Sequence, residues 1–267
     1  MLVRLLRTLG LLVLIGCQTR EPRQPEAGVP HVRVMTYNVN YGLAGDRDTV
    51  NAIASGDADI VVLQETNPEW EEAIRKRLSR RYPHMLFRHR DAAGGLGVLS
   101  RHPLHEKDYL EPVGEGWFPA WRVLVDSPLG TMQLLVVHLR PQLSESGSVV
   151  SGYFTTPPVR EAEMEAYFKE LDPKLPTIVA GDFNESGSGR AIRLLERNGY
   201  KNALPEYAGS APTWRWQTSV GTITTQLDHL VYNDKLEPLE VRVLDQGRSD
   251  HLPVMGIFQR ASDKPSD

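Results

Sequence analysis

"TIVAGDFNES" (residues 177–186) joins two kinds of sequence. Thr177 to Ala180 is short, apolar and partly β-branched, the composition of a buried strand. Gly181, Asp182, Phe183 and Asn184 follow at once. Side chains alternate along a strand, so Asp182 and Asn184 are expected on one side and Phe183 on the other. A carboxylate and an amide aimed at one spot from the end of a buried strand need a partner there, because isolated buried charge is costly.

The same arrangement recurs. "VMTYNVN" (34–40) ends with Asn38 and Asn40, and "IVVLQET" (60–66) with Gln64 and Glu65. "LLVVHLR" (134–140) places His138 in an apolar run, and "QLDHLVY" (226–232) places Asp228 and His229 in another. "GRSDHLPV" (247–254) sets Asp250 and His251 just before a last strand. A shared metal, or each other, compensates such groups.

Around these runs the chain reads as one domain. Strands are expected at 32–39, 60–64, 96–100, 121–125, 132–139, 177–180, 227–232, 241–244 and 254–258. Helices are expected from Asn67 (N-cap, with Pro68 at N1) to about Arg80, over 158–171, and over 189–198, where Asn198-Gly199 is a C-cap signature. Grouped strands with interspersed helices indicate an α+β or mixed α/β sandwich. Residues 141–158 are rich in Ser, Gly and Pro and read as a long loop, of a length that is functional or disordered.

Net charge is −4, so no global basic field gathers nucleic acid, although a local basic groove remains compatible with that total. The single cysteine, Cys17, excludes an intrachain disulfide. Arg4 and Arg7 precede the apolar run Leu9–Ile15, the layout of a signal peptide too short to span a bilayer as a mature helix. "LIGC" (14–17) resembles the bacterial lipobox. That resemblance implies residues 1–16 as signal peptide and Cys17 as a lipidated membrane anchor. With Gln18 next, it implies outer-membrane sorting in a Gram-negative cell, periplasmic or surface-exposed. Residues 17–30, with Pro22, Pro25 and Pro30, read as a flexible tether, 31–260 as the domain and 261–267 as a polar tail.

Several features have plain readings. His229 alternates away from Asp228 and reads as structural. His84, His89, His102 and His105 lack metal-ligand spacing. "AAGGLGVLS" (92–100) lacks the Lys and following helix of a phosphate loop. "RKRLSRR" (75–81) reads as a solvated helix face, with membrane contact as the sharper alternative. Trp214 and Trp216 share one face of an extended segment, as core or as a substrate wall.

The ordered set "TYNV", "LQE", "GVLSR", "VHL", "GDFN", "LDH" and "SDH" resembles the endonuclease/exonuclease/phosphatase superfamily across the whole domain. That superfamily includes DNase I-like nucleases, abasic-site endonucleases, neutral sphingomyelinases and inositol polyphosphate 5-phosphatases. The resemblance implies a four-layer α/β sandwich, two packed mixed sheets flanked by helices. It implies Mg²⁺ as cofactor, with Mn²⁺ or Ca²⁺ able to substitute. Glu65 would be the main ligand, beside Asn38 and Asp250. Asp228 would orient His251, which would deprotonate water or touch phosphate. Asp182 would position water or contact the metal region, and Asn184 would donate to a non-bridging oxygen. His138 would act as acid or phosphate ligand, as the His there does in DNase I-like and sphingomyelinase-like members, and it leans away from the abasic-site branch. Arg122 is the one candidate for an arginine clamp. The expected substrate is a phosphodiester, a nucleic acid or a phospholipid head group, with no obligate protein partner. Alternatives are a phosphomonoesterase acting on inositol phosphates or a similar small substrate, and a catalytically silent binding lipoprotein.

Overall fold

The computed structural model describes residues 19–262. The signal-peptide and Cys17 readings lie outside those residues. The chain runs β1 (His31–Asn38), α1 (Arg47–Ser55), β2 (Ile60–Gln64), α2 (Pro68–Leu78), β3 (His84–Arg88), β4 (Leu96–Ser100), β5 (Leu104–Leu110), β6 (Ala120–Ser127) and β7 (Gly130–His138). It continues with α3 (Val149–Thr155), α4 (Pro157–Phe168), β8 (Thr177–Asp182), α5 (Arg190–Arg197), β9 (Lys201–Asn202) and α6 (Ala203–Ala208). Last come β10 (Trp214–Thr218), β11 (Gly221–Thr225), β12 (Asp228–Tyr232), β13 (Leu236–Val243) and β14 (Val254–Arg260).

Two six-stranded sheets form, in the orders β13-β14-β1-β2-β4-β3 and β5-β6-β7-β8-β12-β9. Each holds one parallel pair, β1 with β2 and β7 with β8, among antiparallel neighbours. The pairs meet across the interface, where β1 and β2 pack on β7 and β8. Val32, Val34, Ile60, Val62, Leu134, Val136, Ile178, Ala180 and Leu230 fill the space between the sheets. The odd-numbered neighbours face outward. Met35, Val61 and Leu63 pack with Trp70 and Ile74 of α2 and Val50 and Ile53 of α1. Leu135, Val137 and Val179 pack with Met164 of α4 and Ile192 and Leu195 of α5. Helix, sheet, sheet, helix is the expected four-layer sandwich.

The caps are local and legible. The Asn67 side chain accepts from the Trp70 N–H at 2.8 Å with Pro68 behind it, and Trp70, Ile74 and Leu78 form the buried stripe of α2. At the start of α5 the buried Glu185 carboxylate accepts from the N–H groups of Arg190 and Ile192. Arg160 closes that site from α4 as a buried ion pair at 3.1 Å.

Four expectations are corrected. Residues 141–158 hold α3, capped by the Ser148 side chain, and α4 begins at Pro157. Helices α1 and α6 were not expected, because α1 is short and mixes polar with β-branched residues and α6 is only six residues long with Pro205 inside it. Strands β3 and β5 went unread, since both are partly exposed and β5 carries "HEKD". The segment read as a tether is docked at Arg20 and Arg23. Their N–H groups donate to the Glu206 and Leu239 carbonyls, and their side chains pair with Glu206 and Glu237.

Gly181 is required by close approach. It lies beside Val137 in the parallel pair, and a Cβ there would stand 1.9 Å from the Val137 carbonyl oxygen. Gly181→Ala should therefore destabilise the fold by about 1–3 kcal/mol, the cost of overpacking a tight site. Urea denaturation reads this directly, and an unchanged midpoint would contradict the close contact.

Candidate active site

The site is built where apolar stripes turn polar. On each central strand the even-numbered side chains line the space between the sheets. In β1 they run Val32, Val34, Thr36, Asn38; in β2, Ile60, Val62, Gln64. In β7 they run Met132, Leu134, Val136, His138; in β8, Ile178, Ala180, Asp182. In β12, which runs the other way, they are Tyr232, Leu230, Asp228. Register brings the polar ends together. Asn38 stands beside Gln64, His138 beside Asp182, and Asp228 opposite Asp182.

Asp182 is the hub. It is 1% exposed and accepts from the Asn184 N–H at 2.8 Å and the Asn38 Nδ2 at 3.2 Å. Nε2 of His138 and Nε2 of His251 each lie 3.5 Å from its Oδ2. Burial pushes the Asp182 carboxyl above its ordinary range, and the nearby imidazoles only partly offset this.

The two histidines differ. Nδ1 of His251 faces both oxygens of Asp228, at 2.9 and 3.1 Å. Thr213 holds that carboxylate, its hydroxyl donating at 2.6 Å. Burial alone would lower His251, but the Asp228 and Asp182 carboxylates raise it to about 10. It is an imidazolium at neutral pH. His138 instead donates from Nδ1 to the Ala93 carbonyl at 3.2 Å and stacks on Phe118 at 4.1 Å. Burial lowers it to about 4, so it is neutral with a lone pair on Nε2.

Backbone turns re-aim the other groups. Asn40, Glu65 and Asn184 have φ of 60°, 62° and 51°, in the left-handed region that non-glycine residues rarely occupy. At Glu65 this breaks the alternation that would send it to the face opposite Gln64. Its carboxylate accepts from Asn38 Nδ2 at 2.9 Å and from the Tyr41 N–H at 3.1 Å, and burial pushes it up. Asn184 lies past the strand end rather than within it, and its Nδ2 donates to the Leu139 carbonyl at 3.0 Å. Asp250 accepts from Asn40 Nδ2 and Trp214 Nε1, both at 2.9 Å. Burial would raise Asp250, but the His251 cation and these donors outweigh it and hold it low.

Sequence reading had not assigned Asn40, Thr213 or Phe118 to this site, and had left Trp214 between core and substrate wall. Asn40 carried a signal as the second Asn of "NVN"; the others carried none. Arg122 is on the outward face of β6, paired with Asp108 at 2.6 Å, and so is no clamp at this site. His229 faces away, as alternation requires. Its Nδ1 accepts from Asn202, and its Nε2 donates to the Glu185 carbonyl.

Asp182, Asp228 and His251 present ligand atoms within 4.8 Å of one another, close enough to hold a metal ion. That closeness is also what the Asp228–His251 pair requires. Glu65 and Asp250 form a second acidic pair of neighbours, and no Lys or Arg among the described residues forms an ion pair with either. An oxygen-rich pair with no Lys or Arg paired to it suits a hard divalent ion.

Burial lowers His229 to about 4, while the unfolded chain binds a proton on it near 6.5. Below pH 6.5 the unfolded state therefore takes up a proton that the folded state refuses. Stability is lost as pH falls from about 6.5 toward 4. His229→Gln should remove roughly 2–3 kcal/mol of the stability difference between pH 7 and pH 4.5. Urea titrations at the two pH values measure it, and an unaltered difference would place the acid sensitivity elsewhere.

No curated protein matches the chain. Solved structures do. The endonuclease/exonuclease/phosphatase from Beutenbergia cavernae DSM 12333 is 20% identical, with TM-score 0.66 over 89% of this chain and 73% of that one. The human Nocturnin catalytic domain with bound sulfate anion is 19% identical, with TM-score 0.65 over 87% and 94%. D. rerio TDP2 complexed with single-strand DNA product is 14% identical, with TM-score 0.64 over 86% and 99%. These likenesses show the fold. The family model described as Endonuclease/Exonuclease/phosphatase family matches residues 35–251, from within β1 to His251, and the chain belongs to that family.

Proposed function

We propose that the chain is a Mg²⁺-dependent phosphoesterase that hydrolyses a phosphodiester by in-line attack of water. Members of the family are generally phosphoesterases that use divalent metals. The observation that carries the reading for this chain is the placing of buried Asp182 between a protonated and a neutral imidazole, beside a carboxylate pair with no Lys or Arg partner among the described residues.

Glu65 would hold the ion, with Asn38 and Asp250 beside it. Bound there, Mg²⁺ supplies neutralisation of charge on phosphate and leaving oxygens. The chain's own groups divide the remaining work. His251, charged and fixed by Asp228, donates from Nε2 to a non-bridging oxygen, where negative charge grows in the transition state. Its raised pKa makes it a donor rather than a base. Asp182 and the His138 Nε2 are acceptors, and a carboxylate raised by burial is the better base for the attacking water. Asn184 has one amide hydrogen on Leu139 and a second free to donate to phosphate. Positioning and electrostatics of this kind supply much of the catalysis in phosphoryl transfer.

Asp182→Asn and His251→Ala should each lower kcat by about 10³-fold while far-UV circular dichroism stays native. EDTA should abolish turnover of bis-p-nitrophenyl phosphate, and Mg²⁺ should restore it. Glu65→Gln should raise the Mg²⁺ needed for half-activity beyond the roughly 10–100-fold that losing an outer-shell partner costs. Turnover near the parent's in the first two variants would exclude the mechanism.

We also propose that the enzyme is anchored at the bacterial envelope through lipidated Cys17. The charged and apolar leader ending in "LIGC" supports this. Mass spectrometry of the membrane-purified chain should find an N-terminal Cys17 carrying acyl mass, absent in Cys17→Ser. An unmodified Cys17 would exclude it.

A further inference from the structure

Nine large apolar side chains are exposed among the described residues, and all but Val29 lie on three segments that join the active site. The first is α3. Its buried residue is Gly152, laid so closely on the chain below that a Cβ would meet the Leu143 nitrogen at 2.5 Å. Its outward residues include Val150, 73% exposed, and Phe154, 74% exposed. This helix turns glycine inward and aliphatic and aromatic groups to solvent, the reverse of an ordinary surface helix. Gln142, beneath it, donates to the carbonyl of Asn184.

The second segment is the β10–β11 hairpin. Its strands form a two-stranded sheet of their own, outside the two large sheets. Val220, in the two-residue turn, is 96% exposed, where turns ordinarily place Gly, Asn or Asp. Trp216 and Ile223 are exposed behind it. Trp214 anchors the hairpin to the site through Asp250, and its backbone bridges to His251. The third is Tyr41, whose N–H donates to Glu65.

Exposed apolar groups concentrated in this way mark a surface that meets something apolar. Charge selects among the candidates. Residues 141–159 contain no Lys or Arg, and their one acid, Glu145, pairs with Arg140. The hairpin contains one cation, Arg215, paired with Asp245. A nucleic-acid surface needs cations to neutralise phosphates, and aromatic faces for bases. These segments offer aliphatic Val and Ile with no unpaired cation. Val, Ile and Phe gain by entering acyl chains, and Trp and Tyr favour the level of the head groups.

We propose that α3 and the β10–β11 hairpin form an apolar rim that seats the active site on a lipid bilayer of uncharged or zwitterionic head groups. The enzyme there cleaves a phosphodiester presented at that surface. The substrate class rests on the phosphoesterase reading; the rim does not.

The test uses the full chain with vesicles of phosphatidylcholine and of its tail-brominated form. The reading is the bromine quenching of tryptophan emission that disappears in Trp216→Phe, so attachment through the N-terminus does not count. The parent should show this quenching. Val150→Ser with Phe154→Ser, and separately Val220→Ser, should weaken it about ten-fold or more at equal lipid, in line with the apolar area removed. All should hydrolyse soluble bis-p-nitrophenyl phosphate within about two-fold of the parent, because none touches the reacting groups. Absence of Trp216-specific quenching overturns the proposal. Its displacement by single-stranded DNA overturns it in favour of a nucleic-acid rim. Quenching in a protein that cleaves no phosphodiester supports the rim and defeats the phosphoesterase reading instead.

Discussion

The carboxylate of Asp182 is buried where the two sheets meet, and most of the site is arranged around that charge. A carboxylate in an apolar interior carries a heavy desolvation cost unless donors and cations surround it. Here the donors are the Asn184 N–H and the Asn38 amide, and the cation is His251, itself fixed by Asp228 and Thr213. The partners come from β1, β7, the turn after β8 and the chain before β14. Strand register brings His138 to Asp182, the packing of β1 on β8 brings Asn38, the turn after β8 brings Asn184, and the Asp228 pair brings His251, so the fold and the site share one constraint.

This accounts for how much was readable beforehand. Alternation with period two continues each apolar stripe into its polar end, so Asn38, His138, Asp182 and Asp228 were legible as inward-facing residues at one end of the sandwich. The sheet order was not legible, because nothing local records which strands become neighbours across some 100 residues. Glu65 was recognised as acidic, but its direction depends on a left-handed backbone that periodicity cannot anticipate. Asn40 and Trp214 enter through contacts with Asp250, which lies 210 and 36 residues further along the chain, so no local pattern announces them. The segment 141–158 misled for a physical reason. Helix α3 buries a glycine and exposes its apolar residues, so it lacks the pattern by which helices are read.

The two imidazoles illustrate how environment divides identical side chains. Both are buried and both lie 3.5 Å from the same carboxylate oxygen. His251 has a second carboxylate on Nδ1 and becomes a cation; His138 has a carbonyl there and an aromatic face beneath it, and stays neutral. The result is one donor and one acceptor facing a common space, the pairing that displacement at phosphorus requires.

The central claim, that a buried imidazolium and a buried neutral imidazole flank Asp182, is tested most directly by ¹⁵N NMR of the histidine rings in metal-free protein. His251 should stay protonated on both nitrogens from pH 6 to 9, and His138 should hold a proton on Nδ1 alone over the same range. In Asp228→Asn, His251 should titrate at lower pH than in the parent. A parent His251 that loses its proton near 6.5 would contradict the assignment of donor and base on which the proposed mechanism stands.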